Sequence, residues 1–129
     1  MQQILIPISI GELIDKITIL KLKQTKITDD TQLANVNCEL QELTGVWSTM
    51  KDPELDISDL TQQLSTVNGK LWEIEDQIRI KESNSQFDEE FIGLARAVYI
   101  QNDLRASIKK EINLRSGSTL IEEKSYQDY

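Results

Sequence analysis

Arginine, lysine and amide side chains interrupt the apolar pattern between Phe87 and Asn113, and these are the residues whose types and spacing suit chemistry. Arg79, Arg96, Arg105 and Lys109 could together neutralise a phosphate or carboxylate, because guanidinium groups grip such anions bidentately. Tyr99, Asn102 and Asp103 fall among these cations and would orient the bound molecule. A second reading keeps the same groups inside the protein. Stacking the helices described below from their connecting turns brings Leu20, Asn37, Asn68, Gly69, Gln101 and Asn102 to one height, as an amide-rich layer. Buried amides need partners or cost a few kcal/mol each. Such a layer either closes on itself and fixes helix register, as buried Asn does in coiled coils, or is filled by water or ligand. Gly69 would leave room beside it.

Two charged levels flank the layer. Arg96 falls near Glu73, Glu75 and Asp76, and Arg105 near Asp15 and Glu42, each level explained first as an interhelical ion pair. Acid–base catalysis by Glu75 and Asp76 is disfavoured, since neighbouring helix positions point about 100° apart. Glu73 and Asp76 form a Glu-x-x-Asp pair reminiscent of helical nucleotide pyrophosphatases, but no second acidic pair stands at a matching position. Di-iron-type bundle sites use Glu-x-x-His, and the chain has no His. A helical mutase that stabilises a dianion with Arg and Lys is an analogy only. No catalytic residue, metal or cofactor is assigned, and whether the protein is an enzyme stays open.

The elements that must position these residues are helices. A chain of 129 residues is the size of one domain, and 39% hydrophobic with 5% aromatic residues and only two Pro suits aliphatic helix packing. Ser9 and Glu12 have capping-box spacing, with Ile8 and Leu13 placed to staple across the cap, so a first helix spans about 10–27. Ile4–Ile8 reads as a strand or an extended arm. Asp29 and Gln32 open a second helix, about 30–50, whose Leu33, Val36, Leu40, Leu43, Trp47 and Met50 repeat at heptad-like intervals. Pro53 breaks the chain, and Ile57, Leu60, Leu64, Val67, Leu71, Ile74 and Ile78 give a third helix, about 55–82. Ser85 and Asp88 are spaced as a cap for a fourth helix, about 87–115, which Gly117 stops. Thr119 and Glu122 could add a helical turn to a tail over 118–129. The expectation is an all-α, antiparallel up-down-up-down four-helix bundle, or two long helical hairpins swapped in a dimer.

Net charge and cysteine usage narrow the partners. A charge of −8 argues against nucleic acid, whose binding rests on clustered Lys and Arg. Met1–Ile6 lacks a basic leader and is followed by Pro7 and Ser9, so neither a signal peptide nor a membrane span is expected. Cys38 is the lone cysteine, which fits a reducing, cytoplasmic setting.

Three stretches carry a resemblance: Gly11–Leu20 (GELIDKITIL), Leu71–Arg79 (LWEIEDQIR), and Phe91–Tyr99 (FIGLARAVY) running into Asn102-Asp103-Leu104-Arg105-Ala106. Together with the ending Glu122–Tyr126 (EEKSY), they resemble an uncharacterised family of small bacterial and phage proteins known only as a domain of unknown function. The resemblance spans nearly the whole chain, least distinctively over 45–60. Asp15, Lys16, Glu75, Asp76, Arg79, Arg96, Tyr99, Asn102, Asp103 and Arg105 match its motif positions. It implies a bacterial source, or a host cytoplasm if phage-encoded, and no activity.

Two functions follow as expectations. The first is a non-enzymatic accessory protein, self-associating or binding a protein partner through a bundle face. The alternative is a small anionic ligand held by Arg79, Arg96, Tyr99, Asn102, Asp103, Arg105 and Lys109.

Overall fold

The computed structural model describes residues 2–50 and 52–129 and is all-α. Its helices are α1 (Ile10–Lys26), α2 (Asp30–Met50), α3 (Ser58–Ser83) and α4 (Glu89–Ser116). Helix α1 starts where Ser9 Oγ accepts the Glu12 N–H at 3.1 Å, and Ile8 packs beside Leu13. Only half of the expected capping box forms, because the Glu12 carboxylate reaches across to α4 instead. Asp29 accepts the Gln32 N–H at 2.9 Å to open α2. Asp56 accepts both the N–H and the hydroxyl of Ser58 at the start of α3.

Both long helices end in the same hydrogen-bonded turn. After α4, Gly117 at φ 69° lets the Ser118 N–H reach Asn113 O at 2.9 Å and its own N–H reach Leu114 O, the paired bonds that close a helix C-terminus. After α3, Ser85 takes the equivalent place at φ 53°, with Ser85 N–H to Glu82 O and Gln86 N–H to Lys81 O. Ser85 therefore closes α3 rather than capping α4. The α4 cap is Asp88, whose carboxylate accepts the Phe91 N–H at 3.0 Å.

Helix α1 is central: it packs against each of the other three, while α2 lies alongside α1 alone. Two apolar clusters share it. Ile14 joins Ile57, Leu60, Leu64, Val67, Ile108 and Ile112 on one side, and Leu13, Ile17 and Leu20 join Val36 and Leu40 on the other, with Trp47 touching both. Gly11 fixes how closely α1 and α4 approach, since a Cβ there would stand 2.5 Å from Lys109 O.

The seams are graded along their length. On the α3 seam, Ile57 just before the helix, Leu60, Leu64 and Val67 are buried, and Leu71, Ile74 and Ile78 are only half-buried. The cause is the short α1, whose last residue Lys26 meets Glu73 at 2.8 Å. Ten residues of α3 continue past that level, a projection of about 15 Å covered by α4 alone. The α3–α4 hairpin thus stands out beyond α1 and α2. Ile80 and Phe87 are 58% and 59% exposed near its tip.

Among the described residues, neither end adds regular structure. Ile4–Ile8 is an extended arm, with Ile4 and Leu5 each 90% exposed. The expected turn at Thr119–Glu122 is also absent, and residues 118–129 run as an irregular strap along α4. Glu123 pairs with Lys110, Lys124 with Asp103, and the Tyr129 hydroxyl donates to Asp103 at 2.8 Å. Tyr129 also stacks edge-on against Tyr99 at 4.7 Å.

Candidate functional site

A polar cluster forms where α1, α3 and α4 converge, and Asp15 is its centre. Asp15 sits between Ile14 and Ile17 on the inward face of α1 and is fully buried. Arg105 from α4 bonds it through Nε at 3.1 Å to both oxygens and through Nη2 to Oδ2. Asn68 from α3 donates Nδ2 to Asp15 Oδ1 at 2.9 Å and to Thr18 Oγ1 at 3.1 Å. Thr18 in turn donates its hydroxyl to Asp15 O at 2.8 Å. The carboxylate is fully buried with both oxygens hydrogen-bonded, so it locks three helices together and is not presented to a substrate.

Lys109, one turn further along α4, stands 2.6 Å from Glu12 and 3.0 Å from Glu122 of the strap, with Asp15 at 3.8 Å. Burial pulls its ammonium pKa down, but the hydrogen bonds it donates to Glu12 and Glu122, with the nearby charges of Glu12 and Asp15, together outweigh that and hold it above the ordinary lysine value. The hydrogen bond to Asp15 likewise raises Arg105, against burial. Asn113, the next turn again, accepts the Gly11 N–H at 2.6 Å, while its own Nδ2 is buried without a partner.

The predicted residues divide into those that meet and those that do not. Asp15, Asn68 and Arg105 converge as described. Tyr99, Asn102, Asp103, Arg105 and Lys109 line one open groove between α4 and the strap, closed by Glu122, Lys124 and Tyr126. Arg79 and Arg96 lie elsewhere. Arg79 pairs with Glu75 one turn earlier on its own helix, and Arg96 is exposed about 14 Å along α4 from Arg105, with no ion pair among the described residues.

The amide layer does not assemble as drawn. Asn37 is exposed and accepts from Gln24 of α1 at 2.7 Å, at the solvent-facing edge of the α1–α2 contact rather than inside it. Gln101 is half-buried with its Oε1 unpartnered, and Asn102 faces the groove. A carboxylate, not a second amide, satisfies Asn68. The charged level around Arg96 also dissolves: Glu73 pairs with Lys26, Glu75 with Arg79, and Asp76 is exposed. Glu42 bonds Gln3 rather than Arg105.

Sequence reasoning missed Glu12, Thr18 and Asn113 as members of the cluster. Arg105, Lys109 and Asn113 recur every four residues beside Ile108 and Ile112, a polar stripe along a buried edge that could have exposed Asn113. Among the described residues, no group of three or more His, Cys, Asp or Glu could hold a metal ion, and no helix is long and apolar enough to cross a membrane.

Fold and site together define a small all-α protein held by a buried interhelical ion-pair network. The chain belongs to DUF6165, a family of unknown function whose model matches residues 4–129. No curated protein and no solved structure matches it.

Proposed function

We propose that this is a non-enzymatic helical accessory protein that binds a protein partner through the projecting α3–α4 hairpin. The supporting observation is surface. A folded monomer of 14.8 kDa is expected to expose about 7,000 Å². This chain exposes 9152 Å², and the surplus exceeds the roughly 800 Å² that one partner covers in a standard interface. The arm and the strap contribute to the surplus, and so does the hairpin, where Ile80, Phe87, Ile92 and Ile100 are all more than 45% exposed. Exposed apolar side chains on an element that projects from the core support a docking site there, and the arm and the strap carry exposed apolar residues as well. The resemblance supports a bacterial or phage source, and the lone exposed Cys38 supports a reducing cytoplasm.

Affinity capture from the native cell, comparing wild type with Ile80→Asp/Ile92→Asp, tests the proposal. Partner capture is expected to disappear with the variant while helical content is kept. An identical set of captured proteins from both, together with a monomeric mass for wild type, would rule the hairpin out.

A second reading rests on the Glu122 carboxylate, which sits 3.0 Å from Lys109 in the groove lined by Tyr99, Asn102 and Arg105. A free carboxylate or phosphate could take that place if the strap moves aside. Thermal shifts with inorganic phosphate and citrate test this on wild type and Glu122→Gln. Binding should be stronger in the variant, and no shift in either removes the reading.

A further inference from the structure

Helix α4 carries two apolar seams, and only one has a partner. Phe91, Leu94 and Val98 are partly buried on the α3 side. Gly93, Ala97, Ile100 and Leu104 repeat at four, three, four on another face, where Gly93, Ile100 and Leu104 are exposed. A Cβ built on Gly93 would meet open space, and Gly93 borders a groove with Ile80 and Leu94.

The flank of this second seam carries a charge code. Glu89, Arg96, Asp103 and Lys110 follow one another at seven-residue intervals, alternating negative and positive. A heptad row of this kind sets partner choice and direction in helix pairing. In a parallel pair this flank would face the partner's opposite flank, and its charges would go unmatched. Reversed, it matches throughout: Glu89 meets the partner's Lys110, and Arg96 meets the partner's Asp103. Both pairs share a midpoint between Tyr99 and Ile100. The apolar positions agree with this register to within a turn, setting Ala97 against the partner's Ile100 and the Gly93 notch against the partner's Leu104. The opposite flank offers Leu94, Gln101 and Ile108, so no competing charge pattern specifies a parallel pair.

We infer that the covering partner is a second copy of this chain, packed antiparallel through the Gly93–Leu104 face of α4, with the Glu89–Arg96–Asp103–Lys110 row fixing the direction. Glu89 and Arg96 have no ion pair among the described residues of their own chain and are available for the contact. Asp103 and Lys110 are shared with Lys124 and Glu123 of the strap, so the strap competes with the partner. This inference rests on the hairpin as a binding element and names what binds there.

Sedimentation equilibrium of the full chain tests it. Wild type is expected at twice 14.8 kDa, with association weakening as salt is raised. Leu104→Lys should give a monomer with unchanged helical content. Arg96→Glu should weaken association at least tenfold, and Arg96→Glu/Asp103→Arg should restore it. In a Cys38→Ser background, Gly93→Cys chains mixed with Leu104→Cys chains should cross-link faster than either alone, which reports direction. A wild-type monomer at high micromolar concentration overturns the inference. So does a dimer indifferent to Leu104→Lys, or one that Arg96→Glu weakens and the double variant does not restore. A monomer whose hairpin still captures another protein would overturn the dimer and leave the wider proposal standing.

Discussion

Arg105 closes both oxygens of a fully buried Asp15 across ninety positions of sequence, joining the first helix to the last. Removing one member of a buried pair leaves the other charged and unmatched, which typically costs 3–5 kcal/mol, roughly what a marginal domain can spare. Asp15→Ala is expected to fall in that range by urea denaturation, and Asn68 loses an acceptor in the same step. The double variant Asp15→Leu/Arg105→Met should recover most of the loss, since apolar replacement of a whole buried pair is often neutral. A cost below about 1 kcal/mol for Asp15→Ala would show that the pair contributes little.

Ser85 and Gly117 occupy the same left-handed position in matching helix ends, so opposite substitutions should have opposite signs. A side chain in that conformation costs roughly 1 kcal/mol. Ser85→Gly is expected to raise stability and Gly117→Ala to lower it, each by about that amount in chemical denaturation. If Ser85→Gly is destabilising, the hairpin turn is held by something other than this backbone geometry.

Gly11→Ala sets helix propensity against space. Alanine is favoured in a helix by about 1 kcal/mol, but the added Cβ would stand 2.5 Å from Lys109 O and 2.9 Å from Asn113 Oδ1. A backbone oxygen cannot swing aside, so α1 and α4 must separate, at a typical cost of 1–3 kcal/mol. The melting temperature should fall.

Two pH limits follow from the charged contacts. Folded Lys109 holds its proton more tightly than the unfolded chain does. Its contribution is complete below about pH 10.5 and is lost as pH rises through the folded value. Lys109→Met should flatten the alkaline limb of a stability–pH curve.

Asp103 behaves in the opposite sense, held below its ordinary 3.8 first by Lys124 and then by Tyr129. Its contribution is complete above that value and lost as pH falls through the folded one. Acid should therefore release the strap before the core opens. Proteolytic cleavage within residues 119–129, accelerated to the same extent by Asp103→Asn at neutral pH, would report it.

Helices α1, α2 and α4 were legible from their own punctuation, since Ser9, Asp29 and Asp88 accept first-turn N–H groups and Gly117 closes α4, whereas α3 was legible from its apolar period alone. The Asp15–Arg105 level and the inward aim of Asn68 were also legible from counting back from the turns. That counting assumes helices of similar length side by side. Helix α1 has 17 residues against 26 and 28 for α3 and α4, and α2 packs on α1 alone, so Asn37 meets only Gln24 of α1 at an exposed edge. The same inequality leaves Arg96 beyond the reach of α1 and turns Glu73 toward Lys26. The partner of Asn68 proved to be a carboxylate because a central α1 presents Asp15 where a symmetric stack would have presented Leu20. The strap was not legible at all, since its contacts are exposed ion pairs that leave no periodic trace.

Ser118 Oγ accepts the Ile10 N–H at 3.2 Å, so the helical body begins and ends at one place. The order in which its two hairpins are written is then a matter of convenience for the fold. A circular permutant opened in the loop at 52–56, with a short linker from the strap to the arm, would translate α3 and α4 before α1 and α2. It should still close Asp15 onto Arg105.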